Sequence, residues 1–368
     1  MTDATDSPVE SDRVPRAPHP RETRRLIGQN AAVAAFTAAA AFGRLHHGWL
    51  ITGPRGTGKA TLAWAIARWL LADADTPDLS VPDDHPVARR LRALSEPRLH
   101  LVRRTPDDKG RLRNEIVVED IRKLLSFFHM SAAEGGRRVA IIDAADDMNT
   151  AAANAVLKML EEPPAGAVLL LVAHQPARLL PTIRSRCREL RLMPLSPDDM
   201  AAALAPLDVP GEPARLAALA GGSVGEALRL AGQEGLERYA ELVALFATMP
   251  SMDRQAAAAF AQGAAGRAGA EGDPFDLTMT LLDRFLSRAA RTGLMGAPLP
   301  EAAENEGAVL SRLSPDETAA RGWAAAQAEL SARARAGWAV NLDPAALVMD
   351  MLLTLAHGPG ATDARGQG

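Results

Sequence analysis

Apolar residues recur along the chain at two different spacings. Over 31–42, Val33, Phe36 and Ala40 fall at helical intervals and predict a helix. A short apolar strand follows, Trp49-Leu50-Ile51-Thr52. After it, Leu62, Ile66, Trp69 and Leu70 line one face of a second helix. Further strands are predicted over 99–103, 138–143, 168–173 and 189–192, with helices over 118–129 and 150–162 between them. The second of these helices stops at Pro163-Pro164, because proline cannot continue the backbone ladder. Strands alternating with helices predict an α/β fold with a parallel sheet covered on both faces. Ligands in such sheets sit at the carboxyl ends of strands.

From Pro194 onward no strand pattern is found. Short helices are predicted over 198–205, 213–220 and 225–231, with Ser223 as the N-cap of the last after Gly221-Gly222. Longer ones are predicted over 236–248, 254–263, 275–290, 315–336 and 344–357, with loops over 264–273 and 293–307. Residues 1–22 hold four prolines, mixed charge and few apolar groups, and read as a disordered tail, as does 361–368. The predicted order is an α/β domain over 23–194, a small helical domain over 195–234 and a helical bundle over 235–360.

The first strand runs into Gly53-Pro54-Arg55-Gly56-Thr57-Gly58-Lys59-Ala60-Thr61. This is the phosphate-binding GxxxxGK pattern, set between a strand and a helix. Glycines let successive N–H groups curl round an anion, and the helix N-terminus adds its dipole. Lys59 would reach the outer phosphates of a nucleotide. The next position ordinarily carries a hydroxyl for magnesium, and here it is Ala60. Thr61 does not substitute, since one residue along a helix turns the side chain by about 100°. The strand at 138–143 ends in Asp143, the place of a second magnesium-directing carboxylate. Ala144 follows it, where an ATPase of this kind carries a water-activating glutamate. Asp146 reads as a polar residue at a strand-to-helix turn. Both losses point to a loop kept as scaffold, with ATP bound weakly or unproductively.

Composition narrows the class. Of 368 residues, 47% are hydrophobic and 23% charged, which is ordinary for a globular protein. The net charge of −4 gives no global positive field, so any DNA contact must be local. The nine basic residues between Arg89 and Arg113 could touch a DNA backbone, but Arg103-Arg104 followed by a Pro-Asp-Asp loop reads more readily as a solvated loop. A single cysteine, Cys187, excludes an internal disulfide and any multi-cysteine zinc site, and it reads as a small core residue. The acidic start has no apolar stretch of a secretory signal, and no apolar run reaches membrane-spanning length. A soluble cytoplasmic protein with no membrane partner is expected.

Two further segments carry a family resemblance. Asn154-Ala155-Val156-Leu157-Lys158-Met159-Leu160-Glu161-Glu162-Pro163-Pro164 closely resembles a signature of bacterial clamp-loader subunits, and Leu179-Leu180-Pro181-Thr182-Ile183-Arg184-Ser185-Arg186-Cys187 resembles a second. With Leu26-Ile27-Gly28-Gln29 and His47-Gly48-Trp49-Leu50, the likeness covers about 22–230, and Asn341-Leu342-Asp343-Pro344 looks like the start of the last collar helix. The chain looks like an AAA+ protein of the DNA polymerase III clamp-loader family, on its gamma/delta-prime side. The departures at Ala60 and Ala144, and Gly225 where the motor subunit has a sensor arginine, point to the delta-prime branch. The resemblance implies an AAA+ P-loop module, a helical lid and a collar for oligomerisation. It implies a pentameric ring with gamma/tau and delta subunits, acting through that complex on the sliding clamp and primed DNA. It also implies that Arg186 reaches the ATP of a neighbouring subunit as an arginine finger, with Arg184 and Arg188 structural and Lys158 on a helix face. Relatives hold zinc with four cysteines, and the matching stretch 72–97 has none, so no zinc is expected; His85 and His100 are too few to replace them. The alternatives are an autonomous P-loop ATPase, such as a motor or helicase-loader subunit, and a small-molecule kinase with a P-loop.

Overall fold

The computed structural model describes residues 10–13, 17–41, 45–107, 109–129, 136–207, 209–267, 269, 272–339, 342–356 and 358. They form two compact units, one of residues 1–203 with 223–225, the other of 204–222 with 226–368. The stretch 195–234 is shared between them.

The first unit is an α/β layer structure. Its strands are β1 Gly48–Thr52, β2 Leu99–Arg103, β3 Arg138–Asp143, β4 Ala167–Ala173 and β5 Arg188–Arg191. They make one parallel sheet in the order β2-β3-β4-β1-β5. That order puts the P-loop, which follows the inner strand β1, between β4 and β5. β1, β3 and β4 are buried along their whole length, so they read as continuous apolar runs.

Strand alternation sends side chains to two cores. Trp49, Ile51, Ile141, Leu170 and Val172 meet α1 Asn30–Ala41, α2 Lys59–Leu71 and α3 Pro86–Arg92 through Phe36, Leu62, Ile66 and Leu91. Leu50, Ile142, Leu169 and Leu171 meet α4 Val118–His129 and α5 Thr150–Glu161 through Ile121, Leu124, Val156 and Leu160. Asn149 caps α5 by accepting from the Ala152 N–H at 2.9 Å. The short α6 Pro181–Arg184 leads into β5, and α7 Pro197–Leu204 follows.

The second unit is helical. It contains α8 Pro213–Ala220, most of α9 Val224–Gly232, α10 Gly235–Ala247, α11 Arg254–Gln262, α12 Pro274–Met295, α13 Glu306–Leu313, α14 Glu317–Ala339 and α15 Pro344–Ala356. Phe246 of α10 stacks on Phe285 of α12, with ring centres 4.2 Å apart. Glu306 is fully buried yet saturated. It accepts from Tyr239 Oη (2.6 Å), Arg288 Nε (2.6 Å) and Nη2 (2.8 Å) and the Ala302 N–H (2.6 Å). No helix among the described residues is long and apolar enough to cross a membrane.

Three helices escape the sequence reading, the four-residue α6 among them. α3 is short and opens where the His85 ring accepts from the Val87 N–H, a cap that periodicity cannot reveal. α13 occupies the end of a predicted loop and the residues just beyond it. The disordered-tail expectation for 1–22 is corrected over 10–13 and 17–22. Asp12 and Glu10 pair with Arg103 of β2, and His19 is buried beside both carboxylates. An ion cluster with little apolar surface leaves no hydrophobic signal to read. Residues 1–9, 14–16 and the predicted tail 361–368 lie outside the described residues.

Candidate functional site

The P-loop closes the carboxyl end of β1, between β4 and β5. Three of its glycines take positive φ: Gly53 (137°), Gly56 (71°) and Gly58 (95°). At Gly56 the reason is also one of space. A Cβ there would lie 2.3 Å from Ser223 Oγ and 2.8 Å from the Gly225 N. Ser223 Oγ donates to the Arg55 carbonyl at 2.8 Å, and the Gly225 N–H donates to the Gly56 carbonyl at 3.2 Å. Gly225 thus lies on the loop and contributes a backbone N–H to it.

Lys59 is the first residue of α2 and only 3% exposed. Its ammonium turns back on the loop, donating to the carbonyls of Gly53 (2.7 Å) and Pro54 (2.5 Å). Burial lowers its pKa to about 8, against the attraction of Asp143 and Asp146. Thr57 also turns inward, Oγ1 donating to the Pro54 carbonyl at 2.9 Å. Gln29 braces the arch: its amide donates to the Thr57 carbonyl (3.2 Å) and to the Met193 carbonyl (2.7 Å). Ala60 and Thr61 continue the first turn of α2, and position 60 presents a methyl group.

Asp143 ends β3 beside this loop. Burial raises its pKa to about 7, with Asp12 adding repulsion and Lys59 opposing. Ala144 is buried behind it. Asp146 is occupied structurally, its two carboxylate oxygens accepting from the His174 and Gln175 N–H groups at 2.9 Å each. His174, at the end of β4, was not singled out by the sequence. Burial, with Lys59 and Arg55 nearby, lowers its pKa to about 4, so the ring is neutral. A strand-end histidine without a motif around it gives no sequence signal.

The structure thus brings together Gly53, Gly56, Thr57, Gly58, Lys59, Ala60, Thr61 and Asp143 at the carboxyl edge of the sheet. Arg186 is elsewhere. β5 runs parallel to β1 with Trp49 opposite Arg188, so Arg186 precedes the strand at the amino edge. The five residues of β1 separate the two edges by about 15 Å, at about 3.3 Å per residue. Arg186 Nη2 lies 2.9 Å from Glu161 Oε1, and Nη1 donates to the Thr182 carbonyl at 3.1 Å. Arg184 is exposed on α6, and Arg188 stacks over the Trp49 ring. Burial pushes the Cys187 thiol up to about 12, which fits a small packed side chain. Lys158 is on the exposed face of α5. His85 caps α3, and His100 lies against Phe127.

The basic run between Arg89 and Arg113 is largely spent inside the unit. Arg90 and Arg98 pair with Glu96, Arg92 with Asp83, Arg103 with Asp12, and Arg104 with Asp147.

The family model described as DNA polymerase III, delta subunit matches residues 28–196. The DNA polymerase III subunit delta-prime of Pseudomonas aeruginosa is 37% identical over 201 residues, 54% of this chain and 59% of that protein. The delta-prime subunit of Bacillus subtilis is 34% identical over 206 residues, 55% of this chain and 59% of that protein. The tau subunit of Salmonella typhimurium is 32% identical over 177 residues, 48% of this chain and 26% of that protein. The match to the delta-prime relatives spans 59% or less of their length. Over residues 28–196 the chain is thus similar to the DNA polymerase III clamp-loader family, and it resembles delta-prime subunits at 34–37% identity.

Proposed function

We propose that this chain is a non-motor subunit of a bacterial DNA polymerase III clamp loader and acts on ATP held by a neighbour. Its partners are gamma/tau-type and delta subunits in a pentameric cytoplasmic ring, which together place the sliding clamp on primed DNA. The observation that carries this is the placement of Arg186. It sits half exposed at the amino edge of the sheet, while the chain's own P-loop is at the carboxyl edge. A guanidinium there is too far away to serve its own loop and is exposed enough to meet a phosphate from outside. Its planar fork suits phosphate, and it would balance charge developing in phosphoryl transfer.

The chain's own loop does not fit a productive magnesium–nucleotide complex. The lysine ammonium is bonded to loop carbonyls, methyl groups stand at 60 and 144, and Ser223 and Gly225 lie on the arch. We therefore assign the loop a scaffolding part, with ATP weak or unproductive there.

The test is clamp- and DNA-stimulated ATPase of a reconstituted loader with Arg186→Ala in this chain alone. The site facing Arg186 should lose on the order of 10³ in rate, with the complex still assembled. An unchanged rate would remove the role in trans. Strong hydrolysis by the purified chain alone would restore the autonomous ATPase.

A further inference from the structure

Glu161 is the last residue of α5, followed by Glu162 and the two prolines that end the helix. A carboxylate in the last turn faces the negative end of the helix dipole and is disfavoured there unless a cation answers it. Arg186 is that cation, at 2.9 Å. The pair cannot be explained by stability. Its side chains are 37% and 48% exposed, and pairs of that kind contribute about 0–1 kcal/mol.

The approach is nevertheless built into the backbone. A Cβ on Gly48 would lie 2.7 Å from Leu160 Cδ2 and 3.4 Å from the Arg186 carbonyl. A larger residue there would require the Leu160 side chain to shift, so the end of α5 and the 186–187 segment pack closely over the start of β1. The Thr182 carbonyl, fixed in α6, accepts from the other terminal nitrogen. Two terminal nitrogens of the fork are thereby held on two elements of the same chain, while the side chain stays 37% exposed.

We propose that Glu161 is a positioning residue for Arg186, presenting its guanidinium in one orientation to a phosphate group on a neighbouring subunit. This rests on the reading of Arg186 as acting in trans. An unanchored arginine would lose rotamer freedom when it met the phosphate, and the Glu161 contact incurs that loss beforehand. The guanidinium has five N–H donors and only two are engaged here, so a phosphate can be met by the others while the Glu161 contact holds.

The experiment uses the full chain in a reconstituted loader, with ATP as substrate and assembly followed by gel filtration. Glu161→Ala should lower kcat about fivefold, equivalent to about 1 kcal/mol, with KM and assembly unchanged. Glu161→Gln, which keeps an acceptor without the charge, should recover part of the loss. In an Arg186→Ala background, Glu161→Ala should cost nothing more.

If Arg186→Ala lowers the rate while Glu161→Ala leaves it unchanged or raises it, the positioning role is wrong and the role of Arg186 stands. An equal loss from Glu161→Ala with and without Arg186 would also overturn it, since Glu161 would then act by another route. If Arg186→Ala has no effect, both readings fall together.

Discussion

Two motif cations end in opposite circumstances. Lys59 is buried, turned onto its own loop carbonyls and lowered to about 8. Arg186 is half exposed and held by one carboxylate and one carbonyl. Lys59→Ala in this chain should therefore leave loader ATPase within about twofold, the few-tenths scale of a contact outside the reacting centre. Loader turnover with that single variant measures it. Cys187 offers a pH test. Alkylation needs the thiolate, and burial raises the thiol from 9.0 to about 12. Native protein at pH 8.5 should react on the order of a thousandfold more slowly than chain unfolded in denaturant, from the three-unit difference. The native rate should keep rising tenfold per pH unit well past 9, where the unfolded chain levels off. Iodoacetamide labelling followed by mass spectrometry reads both.

At the scale of elements, the P-loop and the segment 223–225 form one construction. Gly56→Ala would place a methyl 2.3 Å from Ser223 Oγ on a backbone at φ 71°. The left-handed conformation alone costs a non-glycine residue about 1–2 kcal/mol, and displacement of Ser223 adds to it. A Tm lowered by several degrees is expected in thermal unfolding, with larger loss if the 223–225 contact is broken outright. The strands and long helices were legible because burial on both faces leaves unbroken apolar runs, as in Ala167–Ala173. α3 was not, because its start is set by a histidine ring and its length is two turns. The P-loop was legible as a motif. Its occupation by residues about 170 positions later was not, since no local pattern announces a backbone N–H from Gly225.

For the whole molecule, the charge balance and the pairing pattern point the same way. The net charge is −4, and five arginines of the basic run are tied to carboxylates within the unit. The isolated chain should show no saturable DNA binding at micromolar concentration and about 0.15 M salt, where non-specific binders have Kd of about 10⁻⁴–10⁻⁶ M. Fluorescence anisotropy with a primed-template duplex tests this, and tight, salt-sensitive binding would contradict it. These pairings were not legible along the sequence, which favoured a solvated loop but left a DNA contact open. A run of arginines looks like a nucleic-acid surface until its carboxylate partners are known, and Asp12 and Glu10 come from about 90 residues earlier.

The sequence alone determined the alternation of strands and helices, the P-loop and its missing hydroxyl and glutamate, and the two family signatures, because each is a local pattern. Tertiary structure decided which edge of the sheet each cation serves. The parallel run of β1 and β5 puts Lys59 at one edge and Arg186 at the other, and packing brings Glu161 to Arg186 across 25 positions of chain. Order in space is fixed by which buried faces pair, a property of the packed sheet that no single segment contains.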